Sequence, residues 1–475
     1  MATQAPNIIF VLADDMGYGD IGCYNPASKI PTPHLDQMAA EGIRFTDAHA
    51  GSALCTPSRY SLLTGRYCWR SRLKRGVLNG YSRPLLEEGR WTVASILREH
   101  AYRTACIGKW HLGWEWPLRS VHVLPEDPTR GVDFRAPIRR GPTSVGFEEF
   151  LGIPASLDMP PYCYIEGEMP TAPAEGWTDG SPWDAFWREG PIAPDFRHAE
   201  VLPRLTDRAE AYIRIHGGSR TPFFLYFALP APHTPVLPLE AFRGQSNAGA
   251  YGDFCVQIDA AMGRLMQALK DTGADRHTLL LFSSDNGPET IAYERARRYR
   301  HYSMDGWRGV KRDTWEGGHR VPLIAHWPER IAPGGVSEQV VSLVDIMATA
   351  ADLVGELLPA EAGEDSLSLV PALEGRSVDS ARREAIVYQA GDGTLAIRRG
   401  DWVFIDRPSG GVVEEPEWFR RERGYEPHGL PGELYYLRQD PAEGKNLYGS
   451  EPGILAELQS LLRRYQDSGR SVRWP

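Results

Sequence analysis

Four apolar runs punctuate the first 300 positions of the chain, at residues 7–12, 102–107, 222–229 and 278–284. They are continuous, or nearly so, rather than alternating. That pattern predicts strands buried on both faces, as in a parallel sheet. Helical spacing falls between and after them. Leu35, Met38 and Ala39 follow Thr32-Pro33; residues 93–97 form a short apolar segment; Ile258, Met262, Leu265, Met266 and Leu269 run to Gly273. A further strand is predicted at 321–325, then a helix through Leu343, Ile346, Met347, Ala350 and Val354. After a Pro/Glu/Gly-containing connection at 355–380 the texture changes. Short strands at 386–388, 394–398, 402–405 and 433–437 precede a helix carrying Leu455, Leu458, Leu461, Leu462 and Tyr465. The expected fold is therefore α/β, a large, mostly parallel central sheet flanked by helices over 1–380. A smaller α+β domain, a short antiparallel sheet plus a terminal helix, is expected over 381–475.

Residues 114–200 show no period and read as long loops around a more ordered island at 146–154. Arg119, Arg130, Arg135, Arg139 and Arg140, with Trp177, Trp183 and Trp187, could line an anionic or sugar-binding mouth or serve as surface and packing residues. The pattern does not choose between these roles.

The ends of the four strands carry the chemistry. The first delivers Asp14-Asp15, the second Lys109 and His111 within Gly108-Lys109-Trp110-His111-Leu112-Gly113, the third His233 between Pro232 and Pro235, and the fourth Asp285-Asn286. Taken singly, the paired aspartates fit an acidic loop as well as a metal site, and His111 fits a structural hydrogen bonder. In an open α/β sheet, however, ligands bind beyond the carboxyl ends of the strands, so four such ends in one sheet would converge. Three Asp carboxylates and an Asn amide form the oxygen palette of Ca²⁺ or Mg²⁺. Arg59, Lys109, His111, His233 and Lys311 around them point to chemistry on an anion.

Composition narrows the reading. The 475 residues are 42% hydrophobic and 24% charged, with a net charge of -10, which argues against general nucleic-acid binding. No run of about 18 apolar residues occurs, so no membrane-spanning helix is expected. Six scattered cysteines show no zinc spacing and predict no disulfide framework. Met1 runs into the first strand with no room for a signal peptide, which predicts a cytoplasmic protein. A leader removed beforehand would instead place it in the periplasm or outside the cell.

One cysteine stands apart. In Leu54-Cys55-Thr56-Pro57-Ser58-Arg59, running on to Gly65, Pro57 and Ser58 suit a helix start and Gly65 a helix stop. Cys55 would then sit at the positive end of a short helix, with Arg59 one turn on. A buried free thiol is the alternative.

Cys55-x-Pro57-Ser58-Arg59 with Leu63-Thr64-Gly65-Arg66 resembles the signature of type I, formylglycine-dependent sulfatases, arylsulfatase A-like members of the alkaline-phosphatase-like superfamily. The paired aspartates, Ala231-Pro232-His233, Ser284-Asp285-Asn286-Gly287, Gly309-x-Lys311 and Glu316-Gly317-Gly318 extend the resemblance over nearly the whole chain, as does Glu433-Leu434-Tyr435 with Asp440-Pro441 and Asn446-Leu447. It implies that Cys55 is oxidised to formylglycine by a formylglycine-generating enzyme, and that the resulting diol attacks a sulfate monoester and then ejects sulfate. It also implies that Asp14, Asp15, Asp285 and Asn286 hold Ca²⁺, in preference to Mg²⁺, which also binds the residue at position 55. Arg59 would stabilise the deprotonated diol, Lys109 and Lys311 would hold the sulfate, His233 would protonate the leaving oxygen, and His111 would be the base for sulfate release. Ser156 is implied as a further substrate-binding hydroxyl, although Leu157 departs from the histidine some members carry there. The expected substrate is a small-molecule or oligosaccharide sulfate ester, a sulfated carbohydrate or an aryl sulfate. The alternatives are a phosphodiesterase or phosphonate monoester hydrolase of the same superfamily, and a non-catalytic protein that binds sulfated ligands if Cys55 is unmodified.

Overall fold

The computed structural model describes residues 5–119, 131–182, 185–379 and 381–473; Arg130 and Trp183 fall outside this set. Eight strands build most of one sheet: β1 (Asn7–Asp14), β2 (Ile43–Phe45), β3 (Arg103–Lys109), β4 (Glu149–Ile153), β5 (Phe223–Pro232), β6 (Thr278–Ser284), β7 (Leu323–His326) and β8 (Gly335–Ser337). Their spatial order is β8-β2-β7-β6-β1-β5-β3-β4, continued by the two-residue strands Ile165–Glu166 and Met169–Pro170. The block β6-β1-β5-β3-β4 is parallel throughout. β7 runs antiparallel to both β6 and β2.

Every residue of β1, β5 and β6 is buried, which is why their sequences read as unbroken apolar runs. Two groups of helices supply the cover. α1 (Pro33–Glu41), α4 (Val201–His216) and α5 (Gly249–Thr272) pack together; α2 (Cys55–Thr64), α3 (Val93–Glu99) and α6 (Ile346–Leu353) form the other group. The ordered island expected at 146–154 is β4, a member of the sheet. No helix among the described residues is long and apolar enough to cross a membrane.

Strands β9 (Ile386–Gln389), β10 (Leu395–Arg399), β11 (Trp402–Ile405) and β12 (Glu433–Tyr436) form an antiparallel sheet, followed by α7 (Pro452–Asp467). Alternation along these strands sorts their side chains to two sides. Val387, Ile397, Phe404 and Leu434 meet Leu458, Leu461 and Leu462 of α7. Tyr388, Ala396, Val403 and Tyr435 pack around Trp315. Largely buried ion pairs tie this unit to the rest of the chain: Arg398 to Asp47 at 2.6 Å, Arg308 to Glu415 at 2.7 Å, and Arg383 to Asp345 at 2.8 Å.

Candidate active site

The parallel strands end on one edge, and the predicted residues emerge there together. Asp14 closes β1, with Asp15 next; Lys109 closes β3; His233 follows β5; Asp285 and Asn286 follow β6; Ser156 lies just past β4. All are buried. α2 approaches the same edge. It begins at Cys55 itself, two residues before the predicted Pro57-Ser58 start, with extended Leu54 as its cap. Gly65 ends it with φ 64°, and its N–H bonds the carbonyl of Ser61. The loop leading into Cys55 is fixed by the smaller sheet, because Ser52 Oγ and the Ala53 N–H both donate to the Gln389 carbonyl.

Three carboxylates and three cations interlock in this site. Lys109 Nζ donates to Asp14 Oδ2 at 2.7 Å and Oδ1 at 2.9 Å, and to Ser156 Oγ at 3.0 Å. Lys311 Nζ donates to Asp15 Oδ2 at 2.7 Å. Arg59 Nε lies 2.9 Å and Nη2 2.8 Å from Asp285 Oδ2, while Nη1 donates to the Lys109 carbonyl at 3.1 Å. Arg59 thus braces the carboxylates. These six charges cancel, so a dication and an anionic ester could enter together without leaving a large net charge.

The donor set fits a hard cation. Asp14, Cys55 and Asp285 place ligand atoms within 4.8 Å of one another, as do Asp14, Asp15 and His233. Asn286 donates through Nδ2 to Asp15 Oδ1 at 2.8 Å, yet its Oδ1 is buried with no partner. A buried amide oxygen left unsatisfied next to three carboxylates is what a cation site provides when no protein donor is meant to fill it. Burial pushes the Asp285 carboxyl up to about 6 against the pull of Arg59, with Asp14 adding repulsion. Burial also tends to raise Asp14, but Lys109, His233, Arg59 and Lys311 override it and hold that carboxyl far below the usual range.

Hydrogen bonds fix the histidine tautomers. His111 Nε2 lies 2.7 Å from the Leu78 carbonyl, which can only accept, so Nε2 carries the proton. Nδ1 is then a buried lone pair without a partner. Burial, reinforced by Lys109, holds this imidazole well below the ordinary histidine range, and it stays neutral. His233 Nδ1 faces the Thr234 carbonyl at 2.6 Å, leaving Nε2 toward Ser156 Oγ at 3.3 Å and Asp15 Oδ2 at 3.6 Å. The thiol of Cys55 is pushed upward by burial, only partly opposed by Lys109 and Lys311, so it is a poor thiolate nucleophile.

Glycine makes the close approach of these loops possible. Gly108 has φ 124°, and a Cβ there would lie 1.8 Å from the Ala228 carbonyl oxygen of β5. This position sets Lys109 in place.

A cleft of about 650 Å³ opens over Cys55, lined in part by Asp158, Phe186, Arg188, Glu289 and Arg312. None of these five is marked by the patterning. Asp158 and Arg188 lie in the aperiodic 114–200 stretch, and Glu289 and Arg312 are near neighbours of Asn286 and Lys311 with no spacing of their own. Gly391 and Val412 bring the smaller sheet's loops to the same wall. The described arginines and tryptophans among those considered for a mouth go elsewhere. Arg119 and Arg135 pair with Glu175, Arg139 lies in a bridge with Glu115, and Arg140 donates to the Leu86 carbonyl. Trp177 is exposed on a two-stranded ribbon, and Trp187 stacks on His198. His49, Glu316 and His319 form another buried cluster. Arg320 and Arg398 bracket Glu316 there, and it works as a strut between the two sheets.

A family model described as sulfatase matches residues 6–356. An N-acetylgalactosamine-6-O-sulfatase of Bacteroides thetaiotaomicron is 33% identical across 97% of this chain and 93% of its own length. Human arylsulfatase A is 35% identical across 98% of this chain and 87% of its own. A solved structure from work on glycosaminoglycan metabolism in Bacteroides thetaiotaomicron superposes with a TM-score of 0.82 at 32% identity, covering 98% of this chain and all of that one.

Proposed function

This chain belongs to the sulfatase family and is a sulfatase enzyme, and on that premise we propose that it hydrolyses a sulfate monoester through a formylglycine made from Cys55. The observation that carries the reading is the position of Cys55. It opens α2 within reach of Asp14 and Asp285, where three carboxylates, three cations and an unsatisfied Asn286 oxygen converge. A raised thiol pKa at that point suits a precursor better than a working thiolate. Residues 1–380 form the catalytic unit in this reading, and 381–475 buttress the loop that presents Cys55.

A formylglycine hydrated at position 55 supplies a diol, one hydroxyl to attack sulfur and the other to expel sulfate. Asp14, Asp15, Asp285 and Asn286, with the residue at 55, would hold a hard dication, Ca²⁺, which neutralises charge on the anionic ester. The protein's own groups account for the remaining steps. Lys109 and Lys311 bind the sulfate oxygens, each already oriented by a carboxylate. Arg59 stabilises negative charge at position 55 from behind. His233, protonated on both ring nitrogens when it acts as the acid, keeps Nδ1–H on the Thr234 carbonyl and gives the proton on Nε2 to the leaving oxygen. His111 Nδ1, neutral and unpartnered, accepts the proton whose loss releases sulfate. Ser156 bridges Lys109 and His233 and presents a hydroxyl to the substrate. The relatives' names, N-acetylgalactosamine-6-O-sulfatase above all, support a sulfated carbohydrate as the substrate class.

Protein produced together with a formylglycine-generating enzyme should release inorganic sulfate from 4-nitrophenyl sulfate far faster than it releases phosphate from matched aryl phosphate mono- and diesters. A preference for the phosphodiester or a phosphonate monoester would reassign the reaction. Binding of a sulfated sugar without any sulfate release would leave a binding protein.

A further inference from the structure

The cleft holds a polar side chain that the chemistry above does not use. Asp158 lies two residues beyond Ser156, is 4% exposed, and forms part of the cleft wall. Its Oδ2 meets the guanidinium of Arg188. Its Oδ1 is buried and accepts no hydrogen bond. The residue is held in place: its carbonyl accepts from the Arg188 N–H at 3.1 Å and lies 2.9 Å from the Tyr162 hydroxyl, which also reaches the Arg188 carbonyl at 2.7 Å. A fixed carboxylate oxygen with nothing to accept is costly unless the bound molecule brings the donor.

The surroundings say what kind of donor. Arg188 and Phe186 are both partly exposed on the same wall, with the guanidinium 5.3 Å from the ring centroid. Beyond the Cys55 end, the charges among the described residues of the cleft wall are paired: Arg188 with Asp158, Arg312 with Glu289, Asp392 with Arg407. No free cation remains there for a second anionic group, and Asp158 would repel one.

We propose that Asp158, with Arg188, is a specificity-determining subsite that reads a hydroxyl on a sugar ring whose only anionic group is the reacting sulfate. The carboxylate accepts the hydroxyl proton, the guanidinium donates to that oxygen or its neighbour, and Phe186 offers an apolar face to the ring's C–H surface. This inference rests on the sulfatase reading and narrows it from sulfated carbohydrates in general to singly sulfated sugar units.

The test uses the full chain with Cys55 converted, and a panel of monosulfated hexose and N-acetylhexosamine glycosides. Ring hydroxyls of the best substrate are replaced by hydrogen one at a time. In the wild type, one deoxy analogue should lose about 10–100-fold in kcat/KM, the scale of a hydrogen bond to a charged group. In Asp158→Asn the parent sugar should fall by a similar factor, and the preference for parent over that analogue should shrink to less than ~3-fold. Equal losses on the parent and every deoxy analogue would make Asp158 a structural post and overturn the proposal. So would a wild type that shows no deoxy penalty, or one that cleaves a sugar bearing a second sulfate or a carboxylate as fast as the singly charged parent. The wild-type comparisons stand even if the variant does not fold. Sulfate release from 4-nitrophenyl sulfate tests the underlying reading separately: turnover of the aryl ester without any sugar ester defeats the subsite alone, and no release from either defeats the reading.

Discussion

Replacing Asp285 by Asn separates its bracing of Arg59 from the cation holding proposed for it. The side chain keeps its shape but loses its charge. Asp285 Oδ2 accepts the Arg59 Nε–H at 2.9 Å with Nη2 2.8 Å away in an ion pair, and Oδ1 accepts the Asp15 N–H at 3.2 Å. An amide has one acceptor oxygen, so one of these buried donors is left facing an NH₂. Breaking a buried ion pair costs about 3–5 kcal/mol. The carboxyl is held at about 6 rather than 3.8 even with Arg59 beside it, so the fold already bears a cost for ionising it that the amide avoids. That relief works against the loss of the pair, and without a cation the variant should be destabilised by less than the ~3–5 kcal/mol of an ordinary broken buried pair. Calcium changes the comparison. At about 100 times its dissociation constant a ligand stabilises the native state by ~2.7 kcal/mol, and the variant has lost a charged ligand. Thermal melts in chelator and in calcium should show the gap between the proteins widening by about that amount. Equal calcium shifts in both proteins, or none in either, would refute the assignment of this cluster as the cation site.

Three further outcomes follow from the geometry. Cys55→Ala should lose sulfate release by about 10⁴–10⁶-fold, as when a covalent nucleophile is removed, while isothermal titration still detects calcium through the four remaining ligands. Gly108→Ala forces a side chain onto φ 124° and into the Ala228 carbonyl; a loss upwards of ~3 kcal/mol is expected by denaturant titration, or no folded protein at all. Burial holds His319 down at about 3, so it stays neutral in the fold while the unfolded chain takes up a proton near 6.5, and this residue subtracts stability as pH falls below about 6.5. Asp259 and Asp285 at about 6 and Asp313 at about 7 titrate in the opposite sense over that window. The gap between wild type and His319→Gln isolates the histidine, and should shift against the wild type by about 1.4 kcal/mol per pH unit between 6 and 4.

Fold and site were legible to different depths. The parallel block could be read because strands buried on both faces must be apolar at every position, and because each ran into polar residues at the same end. The antiparallel β7 could be seen as a strand but not oriented, since its four residues carry no direction. The smaller sheet was visible from its alternation, but its attachment was not. Arg398 with Asp47 and Gln389 with Ser52 pair residues more than 300 positions apart, and no local pattern encodes them. The residues gathered at the candidate site were legible because each sits at a strand end or in a dense motif. The cleft wall was not. Asp158 and Arg188 lie in a stretch without period, and their importance comes from one unsatisfied oxygen that only coordinates reveal. Arg59 also reaches Asp285, a partner no local pattern names, because a buried guanidinium must spend its donors on acceptors within reach.

The mass of the peptide spanning Cys55, taken from the same preparation whose sulfate release is measured, tests the central claim most directly. Across preparations made with increasing amounts of formylglycine-generating enzyme, turnover should rise in proportion to the fraction of that peptide carrying an aldehyde in place of the thiol, and should vanish where the thiol is intact. Full sulfate release from protein whose Cys55 remains a thiol would contradict the account.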